Sequence, residues 1–162
     1  MNEVIPNNNI EGFINKKKDN VIEDPKKFFV YGSLMEGLFN YKKVLKGKVI
    51  SRNIGRVQGL LYHQDIKGYP AIVNSDGWVV GELLEFKKFY KVIIKCDKIE
   101  KYYGINHPNN EYERRICKVV LENGEISLAW IYWYVRNDLN TCENPVTSVL
   151  SGNWRNFLQS VK

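Results

Sequence analysis

Short, strand-like apolar segments dominate the sequence from residue 28 onward, and a single segment has a different hydrophobic period. In residues 87–103 the apolar side chains recur three and four positions apart, which is the period of an amphipathic helix. Glycines interrupt several of the strand segments, and a glycine within a strand indicates a bend or a bulge. Bent, short strands combined with one well-patterned helix predict an α+β domain built on a small, curved or barrel-like sheet.

The first strand segment, residues 28–34 (FFVYGSL), is apolar on both faces, which predicts a central position in the sheet. Further strands are predicted at residues 49–63, 67–73, 78–86, 112–121 and 126–135. Asn123-Gly124 lies between the last two strands and predicts a hairpin. The tripeptide DGW at residues 76–78 predicts a turn. Gly104 predicts the end of the helix.

A length of 162 residues suits one domain with a sizeable core. Residues 1–26 are polar and rich in Asn and Lys, so we expect them to form a mobile extension. Residues 27–162 are then the folded domain. No apolar run approaches the roughly 20 residues that span a bilayer, and the N-terminus lacks the pattern of a signal peptide. We therefore expect a cytoplasmic protein.

The chain has three cysteines and two histidines. An odd number of cysteines without metal-like spacing is typical of reduced thiols rather than of a disulfide framework. With only two histidines, a zinc site built from Cys and His is improbable. We therefore expect no metal site.

The formal net charge is +6, and the excess of basic residues falls entirely within residues 28–162. The lysines form two clusters, Lys42, Lys43, Lys46 and Lys48 and then Lys87, Lys88, Lys91, Lys95, Lys98 and Lys101. Basic clusters near aromatic residues can bind nucleic acid, so a nucleic-acid-binding β-barrel is one alternative. We favour a solvated lysine-rich surface, because the sequence has no recognised nucleic-acid-binding motif. A basic surface also suits anionic small substrates.

Three carboxylates are candidates for acid/base chemistry. Glu100 falls inside the apolar stripe of the predicted helix, where burial would raise its pKa toward the range of a general acid/base. It could instead lie at the edge of the stripe and reach water or a lysine. Glu82 has a similar apolar setting on the predicted strand at 78–86, with a position at the rim of the sheet as the alternative. Asp97 lies one turn before Glu100 and could orient a substrate amine or be a surface acid.

The stretch Tyr31-Gly32-Ser33-Leu34 ends a bulky apolar strand on a tyrosine and then turns. One interpretation is a plain turn at the end of a strand. The other is that the backbone exposes N–H groups there to hold an anionic ligand. The pattern G-x-S-x-G of a nucleophilic serine is absent, and so are the glycine-rich phosphate loops.

Taken in order along residues 28–158, six segments resemble one family: FFVYGSL, GYPAIV, VVGELLEF, CDKIEKYYG, YERRICKVVL and AWIYWYV. The family is the gamma-glutamylcyclotransferase-like family, which includes the AIG2-like and gamma-glutamylamine cyclotransferase branches. The resemblance implies a small mixed β-barrel with flanking helices. It implies an enzyme that needs no metal or cofactor and cyclises a γ-glutamyl group, releasing an amine or peptide and leaving 5-oxoproline.

The resemblance also implies roles for individual residues. The substrate-binding loop would be formed by Tyr31, Gly32, Ser33 and Leu34. Glu100 would be the catalytic carboxylate, and Tyr112 would line the pocket together with either Tyr132 or Tyr134. Relatives have a glycine where this chain has Lys101, so the end of the helix is expected to differ in shape.

Two alternatives to an enzyme remain. In the first, the protein uses the same pocket to bind a small molecule without catalysis. The second is the nucleic-acid-binding β-barrel. The sequence leaves open the leaving amine or peptide and the oligomeric state.

Overall fold

The computed structural model describes residues 23–162, so residues 1–22 of the predicted extension lie outside the described residues. The strands are β1 (Lys27–Val30), β2 (Val49–Gln64), β3 (Tyr69–Phe86), β4 (Tyr112–Leu121), β5 (Ile126–Tyr134) and β6 (Val146–Ser148). The helices are α1 (Phe89–Ile99) and α2 (Trp154–Ser160), and a π-helical turn covers Tyr41–Leu45. Of the helices in residues 23–162, none is both long enough and apolar enough to cross a membrane. The cytoplasmic location stays a prediction.

Five strands close into a barrel in the order β3-β1-β5-β4-β2, and β2 pairs back with β3. The pair β1–β5 is parallel and the other pairs of the barrel are antiparallel. The sixth strand, β6, adds to the edge of β2. The predicted α+β domain with a small mixed β-barrel is therefore confirmed.

The prediction of a central first strand is also confirmed, because β1 lies between β3 and β5. Phe28 and Phe29 have side chains on opposite faces of β1, and both are buried. Burial of a phenylalanine side chain contributes about 1.5 to 3 kcal/mol. Other large buried side chains of the core come from β2, β3 and β5, namely Leu61, Ile72, Leu84 and Ile131.

The predicted turn at residues 76–78 is wrong, because β3 continues through it. Leu60 of β2 pairs with Val73 of β3, but Gln58 pairs with Trp78. Residues 74–77 therefore bulge out of the ladder opposite the single residue Gly59, and they are exposed. The polar turn residues are accommodated as a bulge because pairing with β2 holds the strand on both sides.

The predicted helix is correct in position but extends too far at its end. Helix α1 stops at Ile99, since Lys101 adopts a left-handed conformation with φ of 52°. The N–H of Tyr102 donates to the Asp97 carbonyl at 3.0 Å, which closes a Schellman-type helix end. Gly104, the predicted stop, comes after this end and has φ of 124°. The early end leaves Glu100 at the terminus of the helix.

Candidate active site

A cavity of about 130 Å³ lies where β1 ends, beside the end of α1 and the start of β4. The sequence-predicted residues that line it are Tyr31, Gly32, Ser33, Leu34, Glu100 and Tyr112. Further lining residues include Asn40, Tyr69, Pro70, Lys101, Glu111 and Tyr132. The fold therefore brings together, in one small cavity, residues that are far apart in the sequence.

The loop that follows β1 is fixed by close packing. The Tyr31 side chain is buried, and its hydroxyl donates to the Tyr132 carbonyl at 2.6 Å. A Cβ atom at Gly32 would lie 2.7 Å from Cγ of Pro70, closer than real contacts allow. Only a glycine fits between β1 and Pro70 at this point, which explains the glycine of the YGSL stretch.

The N–H groups of residues 32–34 have no acceptor among residues 23–162, although the carbonyls nearby are used. The Gly32 carbonyl accepts from the N–H of Met35 at 2.9 Å, and the Ser33 carbonyl accepts from the N–H of Tyr41 at 3.0 Å. Successive unused N–H groups at a turn form an anion-binding concavity. The loop can therefore bind a carboxylate or an oxyanion without a charged side chain.

Glu100 follows the last helical residue of α1, and its N–H donates to the Cys96 carbonyl at 2.9 Å. The side chain lines the cavity and makes no hydrogen bond or ion pair with any group of the described chain. Burial of the carboxyl, together with the negative charges of Glu111 and Asp97, raises the pKa of Glu100 to about 8. Glu100 is thus a carboxyl with the proton affinity that acid/base catalysis near neutral pH requires.

Sequence reasoning missed a second carboxylate in the cavity, Glu111. It is buried, and Oε1 accepts from Lys67 Nζ at 2.9 Å and from the Tyr69 hydroxyl at 2.7 Å. Lys101 Nζ lies 3.6 Å from Oε2. Burial opposes ionisation, but the hydrogen bonds from Tyr69 and Lys67 outweigh it and lower the pKa of Glu111. Glu111 is therefore a fixed negative charge.

Asp97 is engaged by other side chains and does not line the cavity. Its Oδ1 accepts from Nε of Arg114 at 2.8 Å and from the Tyr132 hydroxyl at 2.7 Å. The Arg114 guanidinium in turn stacks over the rings of Tyr102 and Trp130. This arrangement braces α1 against β4 and β5, and leaves Asp97 poorly placed to orient a substrate amine.

The other predicted carboxylate, Glu82, also lies outside the cavity lining. It is buried and accepts from Arg155 Nη2 at 3.0 Å and from the N–H of Glu36 at 3.1 Å. Arg52 Nη1 lies 3.5 Å from Oε1. The Glu82 carboxylate is therefore already bound by several protein groups, and it holds in place the segment that follows the YGSL loop.

The two open tyrosine positions on β5 differ in location. Tyr132 lines the cavity, while the Tyr134 hydroxyl donates to Asp138 at 2.6 Å outside the lining. Tyr112, the predicted pocket tyrosine, donates its hydroxyl to the Pro70 carbonyl and accepts from Gln64 Nε2 at 3.1 Å. Alternation along β5 puts Tyr132 and Tyr134 on one face, so the sequence could not separate them.

Residues 28–156 match the family described as gamma-glutamyl cyclotransferase, AIG2-like. The gamma-L-glutamyl-butirosin B gamma-glutamyl cyclotransferase of Niallia circulans is 33% identical over 110 residues, which cover 68% of this chain and 67% of that protein.

Two solved structures share the fold. The AIG2-like protein from Mus musculus is 22% identical with a TM-score of 0.55, and the match covers 69% of this chain and 78% of that chain. YkqA from Bacillus subtilis is 24% identical with a TM-score of 0.58, and the match covers 85% of this chain. The matched part is 43% of YkqA, so this chain corresponds to less than half of that protein.

Proposed function

Because this chain belongs to the AIG2-like gamma-glutamyl cyclotransferase family, we propose that it cyclises the γ-glutamyl group of an amine, amide or peptide to 5-oxoproline. The observation that carries the proposal is Glu100, a desolvated carboxyl without a partner in residues 23–162, in a cavity that is also lined by residues 32–34, whose backbone N–H groups have no acceptor in that part of the chain. These are the two elements that the reaction requires, namely a proton carrier and a site for negatively charged oxygens.

In the proposed reaction the substrate's own α-amine attacks its γ-carbonyl carbon. A carbon–nitrogen bond forms to close the ring, and the amide bond to the leaving nitrogen breaks. Glu100 takes a proton from the α-ammonium and gives one to the leaving nitrogen. The ring nitrogen loses two protons in all, and the amine that leaves gains both and departs as an ammonium ion. No water enters the balance.

The unused N–H groups of residues 32–34 supply the electrostatic part of the proposal. The γ-carbonyl oxygen becomes negative during attack, and the substrate also carries an α-carboxylate. Backbone N–H groups held by Tyr31 and Pro70 can bind such oxygens without rearranging. Because nucleophile and carbonyl belong to one molecule, a small cavity that bends the glutamyl chain back on itself supplies much of the acceleration.

The proton affinity of Glu100 suits the proton that it would move. The amine of a γ-glutamyl substrate lies beside a free α-carboxylate, so its pKa is higher than the roughly 7.7 to 8.0 of a peptide N-terminus. With a pKa of about 8, Glu100 is much closer to that amine in proton affinity than an ordinary glutamate at roughly 4.3, so proton transfer to Glu100 costs less free energy. The substrate ammonium would also favour the carboxylate form once it lies beside Glu100.

The test is release of 5-oxoproline from a panel of γ-glutamyl amines, dipeptides and gamma-L-glutamyl-butirosin B. The last compound is included because the relative from Niallia circulans is named for it. We expect turnover by the wild type and a loss of 100-fold or more in Glu100→Gln, on the order of the effect of removing a general acid/base. Glu85→Gln, which removes a carboxylate of β3 paired with Lys27 on the surface, is the matched control and should retain activity.

Turnover that survives in a folded Glu100→Gln variant would contradict the assignment of Glu100. Tight binding of a γ-glutamyl compound without turnover by the wild type would instead favour the small-molecule binding module. The nucleic-acid alternative predicts DNA or RNA affinity that falls steeply with salt.

A further inference from the structure

The cavity holds one carboxylate that the proposed chemistry does not use. Glu111 lines the same cavity as Glu100, and only 2% of the residue is exposed. Lys67, Tyr69 and Lys101 surround its two oxygens with donors. Glu100 has no such partner within the described chain. The two acids therefore share one cavity but have opposite surroundings.

Glu111 also contacts the residue directly after Glu100 in two ways. Its N–H donates to the Lys101 carbonyl at 3.4 Å, and its carboxylate lies 3.6 Å from Lys101 Nζ. The preceding Asn110 fastens the rest of the helix exit, since Oδ1 accepts from the N–H of Tyr103 at 2.8 Å and Nδ2 donates to the Gly104 carbonyl at 2.7 Å. The end of α1 is thus tied to the segment that leads into β4.

Two like charges in one small, desolvated site repel each other, so ionising one carboxyl makes ionisation of the other more costly. The donors decide which acid keeps the charge, and they all surround Glu111. When the surroundings of two acids differ in this way, the acid without donors becomes the one that carries the proton.

We propose that Glu111 is a positioning residue for the reaction proposed above. Its fixed negative charge makes Glu100 a stronger base, and its contacts with Lys101 hold the end of α1 beside the cavity. The catalytic consequence rests on the proposed function, but the effect on Glu100 itself does not.

The other titratable groups around Glu100 contribute less to its charge state. Those that sense its charge are Tyr31 beside β1, Tyr69 on β3, Cys96 on α1, Tyr112 on β4 and Tyr132 on β5. Burial raises the pKa of each of them, so they are neutral near pH 7. Asp97 on α1 is charged, but Arg114 and Tyr132 bind it. Lys101 follows Glu100 in the chain, and its ammonium group is engaged with Glu111.

The experiment is a titration of the glutamate side-chain carboxyl carbons, labelled with carbon-13, by NMR. The Glu100 signal is assigned from its absence in Glu100→Gln. In the wild type we expect Glu100 to titrate near pH 8, and in Glu111→Gln about one pH unit or more lower, because a like charge has been removed. Glu113→Gln is the matched control, since Glu113 lies at the start of β4, two residues after Glu111, and does not line the cavity; it should leave the Glu100 midpoint unchanged.

An unchanged Glu100 midpoint in a folded Glu111→Gln variant would overturn the proposal. If that variant does not fold, the wild-type titration decides, with Glu111 assigned by triple-resonance NMR. Glu111 must then lose its proton at a lower pH than Glu100, and the reverse order would overturn the proposal. The titration needs no turnover, so its outcome is independent of whether the cyclisation is observed.

Where turnover is found, the pH profile of kcat/KM gives a second readout. In Glu111→Gln the rise of kcat/KM with pH should move to lower pH by the same amount as the NMR midpoint, and kcat at pH 8 should fall. A loss of kcat with no movement of the profile would indicate a purely structural role for Glu111.

Discussion

The indole N–H of Trp154 donates to Nδ1 of His63 at 3.0 Å and so ties α2 to β2 across the outside of the barrel. The two rings are also stacked, with centroids 6.1 Å apart. Burial lowers the pKa of His63, although Asp65 acts in the opposite direction. The contact requires a neutral imidazole, since a protonated Nδ1 has no lone pair to accept the bond.

We expect this contact to weaken in acid. A histidine with a lowered pKa in the folded state contributes stability above pH 6.5, its unfolded value, and that stability is lost as the pH falls through the folded value. Trp154→Phe removes the donor, so this contact no longer contributes to the pH dependence of stability. From pH 7 to pH 5 the free energy of unfolding should fall in both proteins, and the fall should be about 1 kcal/mol smaller in Trp154→Phe. Urea denaturation at the two pH values tests this; equal pH dependence in both proteins would contradict it.

Glu100 should make the protein less stable in base. Its pKa is raised from 4.5 to about 8, so the folded state binds the proton more tightly than the unfolded state does. The associated stability is complete below about pH 4.5 and is lost as the pH rises through 8. Glu100→Gln has no ionisable side chain at this position and does not lose this stability. The difference in free energy of unfolding between the variant and the wild type should therefore shift in favour of the variant by about 2 to 4 kcal/mol from pH 5 to pH 9. Urea denaturation at both pH values, with Glu85→Gln as a control that should parallel the wild type, measures the difference.

Gly32 and Pro70 should show strong energetic coupling. Gly32→Ala places a methyl group against the Pro70 ring, and we expect it to destabilise the protein by about 1 to 3 kcal/mol and to displace the loop at residues 31–34. Pro70→Ala removes the ring carbons that cause the clash. The double variant should therefore recover part of the stability and 5-oxoproline release lost in Gly32→Ala, and a double-mutant cycle measures the recovery. Simple additivity of the two changes would show that the clash is not the cause.

Lys101 occupies a left-handed position that favours glycine, with φ of 52°. Lys101→Gly and Lys101→Ala both remove the ammonium beside Glu111, so they differ only in the conformational cost of the backbone. We expect the glycine variant to be the more stable by about 1 kcal/mol in urea denaturation. Equal stability would mean that the left-handed conformation costs nothing at this helix end.

Local patterns predicted the parts of the structure that local chemistry controls. The hairpin at Asn123-Gly124 formed as expected between β4 and β5, with Gly124 at φ of 86°. The helical period placed Glu100 within the apolar stripe of the helix, although it left a position at the edge of the stripe open. The fold class followed from the succession of short strands and one helix.

Long-range contacts account for what the sequence did not predict. Glu111 belongs to the cavity because Lys67 and Tyr69, which precede it by some forty residues, bind its carboxylate. Neither a hydrophobic period nor a turn motif carries information about contacts between residues so far apart in the sequence.

The parallel pairing of β1 with β5 has a consequence for how the protein folds. Phe28 of β1 pairs with Trp130 of β5, so β1 must wait for a strand that lies far later in the sequence. Contacts so distant in sequence form slowly, because loop closure costs entropy before pairing offsets it. The loop at residues 31–34 continues directly from β1. We therefore expect substrate affinity to emerge only when the barrel closes, which would make ligand binding a kinetic reporter of the last step of folding.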